Sequence, residues 1–412
     1  MLIRFEVSNF RSIRESVELS MVAVDAARDE AQRIENVGLS LLHVTAIYGP
    51  NASGKSNIVA AMAWLCDAVR TSLRSWDDSI PIEPFAFGDW RHRPSEFTIE
   101  SVIDGIRFEY VLELSQEGVS YEGLFHYPEK KRRRIFERDT TELKLQRGLG
   151  NLSGTRELLT GRTLALSIAR RFDEPLVSDF ATDLLQVQTL GLRDPAGRPQ
   201  LLRHPTISLF EETEPVLFEL DTGFTLADRA QALALLRMAD LGIDDVLVVD
   251  DPRSRRPGRQ AQLTHRSAQG SVPLDFQAES AGTRTWFRLI GPVLAALKEG
   301  SLLLFDELDA SLHPTLSQQL IGLFQDPLTN PRHAQLIFTT HDTSLLNQLN
   351  RDEVWLTEKS GDGATRLGAL AEFAGERVRT SVNLEKAYLH GRFGALPDTD
   401  RTELLRALGL IA

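Results

Sequence analysis

The sequence has a single cysteine, no apolar run near 18 residues, no repeat or low-complexity tract, and no surplus of positive charge. Each absence excludes something. One thiol, Cys66, rules out an intrachain disulfide and a cysteine-based zinc site, and its expected role is that of a small packed hydrophobe. Without a long apolar run there is no candidate membrane span, and Met1 leads directly into the amphipathic stretch LIRFEVSNF, so we expect a cytoplasmic protein with no membrane partner. A net charge of −12 argues against a globally basic nucleic-acid coat, although local basic patches stay open. No heptad run is long enough for an extended coiled coil. The 412 residues, 42% hydrophobic and 25% charged, suit a globular chain of two or three lobes.

What the chain does have is YGPNASGKSNI, residues 48–58, directly after the apolar run Leu41 to Ile47. Gly49, Gly54, Lys55 and Ser56 fit the pattern G-x-x-x-x-G-K-[ST], which resembles a Walker A loop. Glycines let the backbone turn its N–H groups inward at phosphate oxygens, and the following helix N-terminus adds partial positive charge. Lys55 is expected on the β- and γ-phosphates and the Ser56 hydroxyl on Mg²⁺. From this stretch we take Gly49, Asn51, Ser53, Gly54, Lys55, Ser56 and Asn57 as nucleotide-contacting residues, with ATP and Mg²⁺ as cofactors.

Around this loop the patterning is α/β. Residues 2–10 alternate as a strand, Leu41 to Ile47 reads as one strand feeding the loop, and a helix follows from about Ser56 to Ser72. From Glu96 to about Phe136 short alternating segments separated by DG and EG read as an antiparallel layer. Helical periodicity dominates from about Leu152 to Leu241, in RELLTGRTLALSIARRF, LVSDFATDLLQVQTL and LADRAQALALLRMADLG, which we take as a helical insertion. IDDVLVVDD and QAQLTHRS then flank PRSRRPGR as a hairpin. The expected division is 1–150, an N-terminal part of a nucleotide-binding head; 151–243, a helical arm or lid; and 244–412, the C-terminal part of the head.

The second half of the site lies in SLLLFDELDASLHP, residues 301–314. Leu302 to Phe305 form a buried strand ending in Asp306, placed to hold Mg²⁺, and Glu307 is the carboxylate that can orient or deprotonate an attacking water. Upstream, Ser280-Ala281-Gly282-Thr283 opens a helix, where a hydroxyl, a bare glycine and a helix N-terminus make an anion-binding surface. Asp309-Ala310-Ser311-Leu312-His313-Pro314 follows the strand, and Thr340-His341-Asp342 follows the later strand AQLIFTT.

In order, these strings resemble the Walker A, signature, Walker B, D-loop and switch histidine of ABC-type ATPases of the SMC/RecF class, over roughly residues 1–70 and 275–360. VSNFRSI, residues 7–13, is similar to the opening of that class. The chain looks most like the short, coiled-coil-poor bacterial AAA-type ATPases found in anti-phage defence loci, which also tend to end in a segment like YLHGRFGALP, residues 388–397. The signature departs from Leu-Ser-Gly-Gly-Gln, and neither Gln116 nor Gln146 has the context of a Q-loop glutamine.

The resemblance implies a P-loop NTPase of ABC/SMC head type, with an antiparallel β lobe and a helical insertion. It implies a Mg²⁺-dependent ATPase with Lys55, Glu307 and His341 catalytic, Ser56 and Asp306 on the metal, and Ser280, Gly282 and Asp309 on nucleotide. It further implies a homodimer, or a higher even-numbered oligomer, paired head to tail around ATP. Two outputs fit. One is control of a separate effector protein, since no second catalytic cluster is visible; Asp398 and Asp400 make only a terminal DTD. The other is a RecF-like DNA-repair ATPase clamping duplex, with DNA or RNA met by Lys130 to Arg134 and by Arg253, Arg255, Arg256 and Arg259.

Overall fold

In a computed structural model, residues 1–390 are described apart from 26–27, 29, 193–201, 212–224, 251–258, 269, 311 and 374–383. The chain opens with β1 (Leu2–Ser8) and β2 (Val17–Ser20), then a small hairpin, β3 (Ala31–Ile34) and β4 (Leu39–Leu42), which leads into β5 (Val44–Tyr48) and the 21-residue α1 (Lys55–Ser75). The apolar run expected as one strand is thus two, parted at His43. β4 pairs with β3, whereas β5 enters a parallel sheet. Periodicity cannot reveal that break, because both halves are apolar and both are buried.

A meander follows: β6 (Ser95–Ile103), β7 (Ile106–Leu114), β8 (Val119–His126), β9 (Arg133–Asp139) and β10 (Glu142–Leu145). With β1 and β2 it makes a seven-stranded antiparallel sheet in the order β10-β9-β8-β7-β6-β1-β2. Next come α2 (Thr155–Leu158), α3 (Ala165–Ala169), α4 (Pro175–Gln186) and the short β11 (Gln188–Leu190). Then α5 (Leu226–Ala239) precedes a three-stranded sheet of β12 (Ile243–Asp250), β13 (Arg259–Ser267) and β14 (Gly270–Asp275). Last are α6 (Ala281–Glu299), β15 (Leu302–Phe305), α7 (Pro314–Gln325), β16 (Gln335–Thr339), β17 (Val354–Lys359), β18 (Thr365–Ala369), α8 (Leu370–Phe373) and α9 (Leu384–Leu389).

The second large sheet, β11-β15-β16-β5-β17-β18, is parallel except for its β18 edge. Its central strands are buried on both faces, which is why they read as unbroken apolar runs. Ile47, Leu304 and Ile337 point into one core shared with α1 and the antiparallel sheet. Val44, Ala46, Tyr48, Leu303, Phe305, Leu336 and Phe338 point into the other, shared with α5, α6 and α7. The architecture is α/β, a largely parallel sheet joined to an antiparallel β lobe.

The expected helical arm differs in its first part. RELLTGRTLALSIARRF breaks at Gly161 into α2 and α3, because Arg138, fully buried, donates to the carbonyls of Thr160 and Thr163 between them. Its partner Glu122 accepts from the N–H groups of Ala165 and Leu166 at the start of α3. Ala165, Leu166, Phe180 and Leu184 lie in the first core, and β11 extends the parallel sheet beside β15. Residues 151–190 are therefore part of the body. Cys66 is buried in that core on α1, and burial pushes its thiol up to about 12.

Where β4 gives way to β5, the His43 ring stacks on His333 with centroids 5.5 Å apart; its Nδ1–H donates to the Glu30 carbonyl and its Nε2 accepts from His333. Burial, helped by the second imidazole, pushes His43 down from 6.5 to about 4. The unfolded chain therefore takes up this proton before the folded one does, so stability falls as pH drops from 6.5 to about 4, by up to about 3 kcal/mol. Chemical denaturation across that window should show the fall, and His43→Gln should remove most of the slope; an unchanged slope in the variant would assign it to other groups.

Candidate functional site

Loop 49–54 leaves β5 and turns into α1 at the C-terminal edge of the parallel sheet. Its shape depends on left-handed backbone, which Gly49 at φ 154 and Gly54 at φ 103 adopt freely and Ala52, at φ 64, adopts at a cost. Both glycines are also forced by contact. A Cβ on Gly49 would lie 2.2 Å from the Thr357 hydroxyl, and one on Gly54 2.0 Å from the Thr365 hydroxyl. Threonines of β17 and β18 thus form the floor of the loop.

Hydroxyls tie that floor together. The Ser53 and Thr357 hydroxyls bond at 2.6 Å, Thr357 Oγ1 donates to the Tyr48 carbonyl, and Thr365 Oγ1 donates to the Ser53 carbonyl. Ser12, in the turn after β1, bonds the Thr365 hydroxyl at 2.7 Å and accepts from Asn57 Nδ2 at 2.6 Å. The side chains of Ser53 and Asn57, expected on nucleotide, are thus engaged with β17 and the N-terminal turn. Asn51 and Ala52 are exposed at the loop's tip, and Ser56 is half-buried at the start of α1.

Lys55 is 6% exposed and its Nζ donates to the carbonyls of Gly49 at 2.8 Å and Pro50 at 3.2 Å. Burial holds its pKa below the usual lysine value, opposed by the nearby carboxylates of Asp306, Asp309 and Glu307. Those carboxylates follow β15. Its neighbour β16 runs between β15 and β5 in register, so Phe305 pairs with Phe338 and Thr339 with Ile47. Three strand ends therefore meet at one edge, which brings Lys55, Asp306, Glu307, Asp309 and His341 into one electrostatic neighbourhood.

Each acid is held differently. Asp306 is half-buried, with its N–H on the Leu190 carbonyl and its Oδ1 accepting from the Thr339 hydroxyl at 2.7 Å. Glu307 is exposed and left-handed, at φ 57. Asp309 accepts from Thr340 Oγ1 at 2.8 Å and from the His341 N–H, 3.2 Å to each oxygen. His341 is exposed, and partial burial together with the Lys55 charge lowers its pKa, which favours the neutral ring. In that form one nitrogen donates and the other accepts.

Ser280 caps α6, its hydroxyl accepting from the Thr283 N–H at 3.0 Å. Ser280 is exposed and Gly282 half-buried, and among the described residues neither bonds to the loop or to the acids. Within one chain the structure does not bring them to the Lys55 cluster. Four residues that the sequence did not single out shape the site: Thr339, Thr357, Thr365, and Gly191, whose absent side chain lets the β11 end lie against the Asp306 carbonyl. Gly191 alone left a signal, a glycine directly after the apolar end of a strand.

Each basic run is ion-paired in part. Arg132 bonds Glu109 at 2.7 Å and covers the Phe125 ring, Arg134 bonds Glu137 at 2.9 Å, and Arg133 lies 3.5 Å from Glu129. Arg259 lies 3.4 Å from Glu211. Lys130 and Lys131 are exposed. Arg253, Arg255, Arg256, Ser311, residues 391–397, Asp398 and Asp400 lie outside the described residues. Among the described residues no helix is long and apolar enough to cross a membrane.

A family model described as "AAA domain, putative AbiEii toxin, Type IV TA system" matches residues 44–347, from the first residue of β5 past the histidine turn. The chain belongs to this AAA_21 family. No curated protein matches it in sequence. Solved structures similar to this AAA_21 chain include an SMC head bound to the C-winged helix domain of ScpA, at 13% identity and TM-score 0.46, covering 89% of this chain and 97% of that one. The SMC head domain from Thermotoga maritima is similar at 15% identity and TM-score 0.42, covering 89% and 98%. A Pyrococcus furiosus Smc head with an extended coiled coil, bound to the C-terminal domain of ScpA, gives 12% identity and 0.42, covering 90% and 97%.

The loop fits a nucleotide with its metal: a glycine-permitted cradle at a helix start, a lysine inside it, and at the adjacent strand end a carboxylate with one oxygen that no hydrogen bond engages among the described residues. Gly54→Ala should weaken binding of a fluorescent ATP analogue at least about tenfold, or 1.4 kcal/mol. Gly322→Ala, where nothing lies within 4 Å of the added carbon, should bind as wild type. Equal affinities for both variants would refute the role given to the threonine floor.

Proposed function

We propose that this AAA_21 protein binds ATP with Mg²⁺ at residues 49–56 and hydrolyses it, and that the bound state controls a partner effector. The observation that carries the reading is the meeting of three buried strand ends, which gathers one lysine, three carboxylates and one histidine at the phosphate-loop edge. Lys55 exchanges its two loop carbonyls for phosphate oxygens. Ser56 and Asp306 hold the metal, which when bound offsets phosphate charge. Glu307, exposed at the strand end, orients or deprotonates water, and His341 donates toward the terminal phosphate from its neutral ring.

Ser280 and Gly282 sit at an exposed helix start away from this cluster, which suits a head-to-tail pair in which each chain's α6 completes the other's site. ATP then stabilises the paired state by its differential affinity for it. Between the two outputs, the engaged arginines of 132–134 favour a protein effector over a duplex clamp. The family description, with its toxin–antitoxin wording, accords with an effector pairing in anti-phage defence.

Glu307→Gln tests the whole reading. It should keep ATP bound while phosphate release falls by about 10²–10⁴, and sedimentation should show a dimer that needs ATP. Recovered from its own cells with ATP and Mg²⁺, it should bring down a stoichiometric protein and no nuclease-sensitive material. Long duplex DNA without protein would overturn the effector reading in favour of the clamp.

A further inference from the structure

Thr339 is the last residue of β16 and is fully buried. Its hydroxyl does two things at once. It donates to Asp306 Oδ1 at 2.7 Å and accepts the Glu307 N–H at 2.8 Å, while the Thr339 carbonyl accepts the Leu308 N–H at 3.0 Å. A hydroxyl has one proton, and the Glu307 N–H can only donate, so the proton belongs to the Asp306 bond. Its direction is fixed.

Both acids need such a hold. Left-handed backbone at a residue with a side chain costs of order 1 kcal/mol or more and persists only where the surroundings enforce it, and Glu307 lies at φ 57. The N–H taken by Thr339 belongs to that residue. Asp306 in turn has one oxygen engaged, and among the described residues Oδ2 carries no hydrogen bond. From the opposite side the Leu190 carbonyl accepts the Asp306 N–H, so the turn is gripped by β11 and β16 together.

The geometry points to Thr339 as a positioning residue for the ATPase reaction: it engages one oxygen of Asp306 and so leaves the other for the metal that Asp306 would hold, and it pins the Glu307 backbone so that its carboxylate faces solvent. This rests on the ATPase reading given above. Thr339 is fully buried and acts through the two acids. A valine there would keep the shape, free the Asp306 carboxylate to rotate, and strand the Glu307 N–H without an acceptor.

The test compares wild type, Thr339→Val and Thr339→Ser. Mn²⁺ binding is followed by electron paramagnetic resonance with a non-hydrolysable ATP analogue, and turnover by phosphate release. Thr339→Val should lose about tenfold or more in Mn²⁺ affinity, in the range that removal of such supporting bonds produces. Its kcat should fall at least about tenfold while KM for ATP changes less than about twofold, because Lys55 and the loop are untouched. Thr339→Ser should restore both to within about threefold. Wild-type Mn²⁺ affinity and kcat in the valine variant would overturn the inference, as would a loss that serine does not restore. If the valine variant does not fold, Thr339→Cys, which lacks the γ-methyl and is a weaker donor, carries the same expectation. A wild-type protein that binds neither the analogue nor Mn²⁺ would remove the ATPase reading itself, a different result from an intact wild type with an indifferent Thr339.

Discussion

Everything at the candidate site depends on the register of three parallel strands. β5, β16 and β15 are paired so that Ile47 faces Thr339 and Phe338 faces Phe305. A parallel strand buried on both faces has little freedom to slip, because moving it by one residue would send Ile47, Ile337 and Leu304 into the wrong core. Apolar packing far from the chemistry thereby fixes where the phosphate loop, the acids and the histidine emerge. β16 lies between the other two, and its end, Thr339 to His341, bonds to Asp306, Glu307 and Asp309 in turn.

The polar layer built on that frame is mostly threonine and serine. Lys55 would be costly to bury alone, and the loop's own carbonyls receive it. Beneath the loop, Ser12, Ser53, Thr357 and Thr365 exchange hydrogen bonds among themselves and with backbone carbonyls. Short side chains with one donor and two lone pairs can close such a network in little space, and their crowding excludes a Cβ at Gly49 and Gly54.

The sequence made legible what is local. The glycine–lysine–serine spacing, the apolar β15 ending in two acids, the meander with its DG and EG turns and the strands β12 and β13 all announce themselves within a dozen residues. What depends on distant partners did not show. The split of Leu41 to Ile47 follows from pairing with two different sheets, and the break at Gly161 follows from Arg138, more than twenty residues upstream. Thr339, Thr357 and Thr365 carry no signature because a threonine near a strand end is ordinary until its neighbour across the sheet is known. Ser53 and Asn57 show the converse: the motif drew both toward nucleotide, yet their side chains serve the scaffold.

The threonine floor also sets an order of assembly. The hydroxyls that shape residues 49–56 belong to β17 and β18 and are made some three hundred residues later, with the acids emerging only shortly before them. A ribosome-bound chain that has just released α1 holds the phosphate-loop motif without its support. The shape of residues 49–56 therefore forms only once β17 and β18 have been made, and a truncated product ending before residue 357 keeps the motif while lacking the surface that gives it shape.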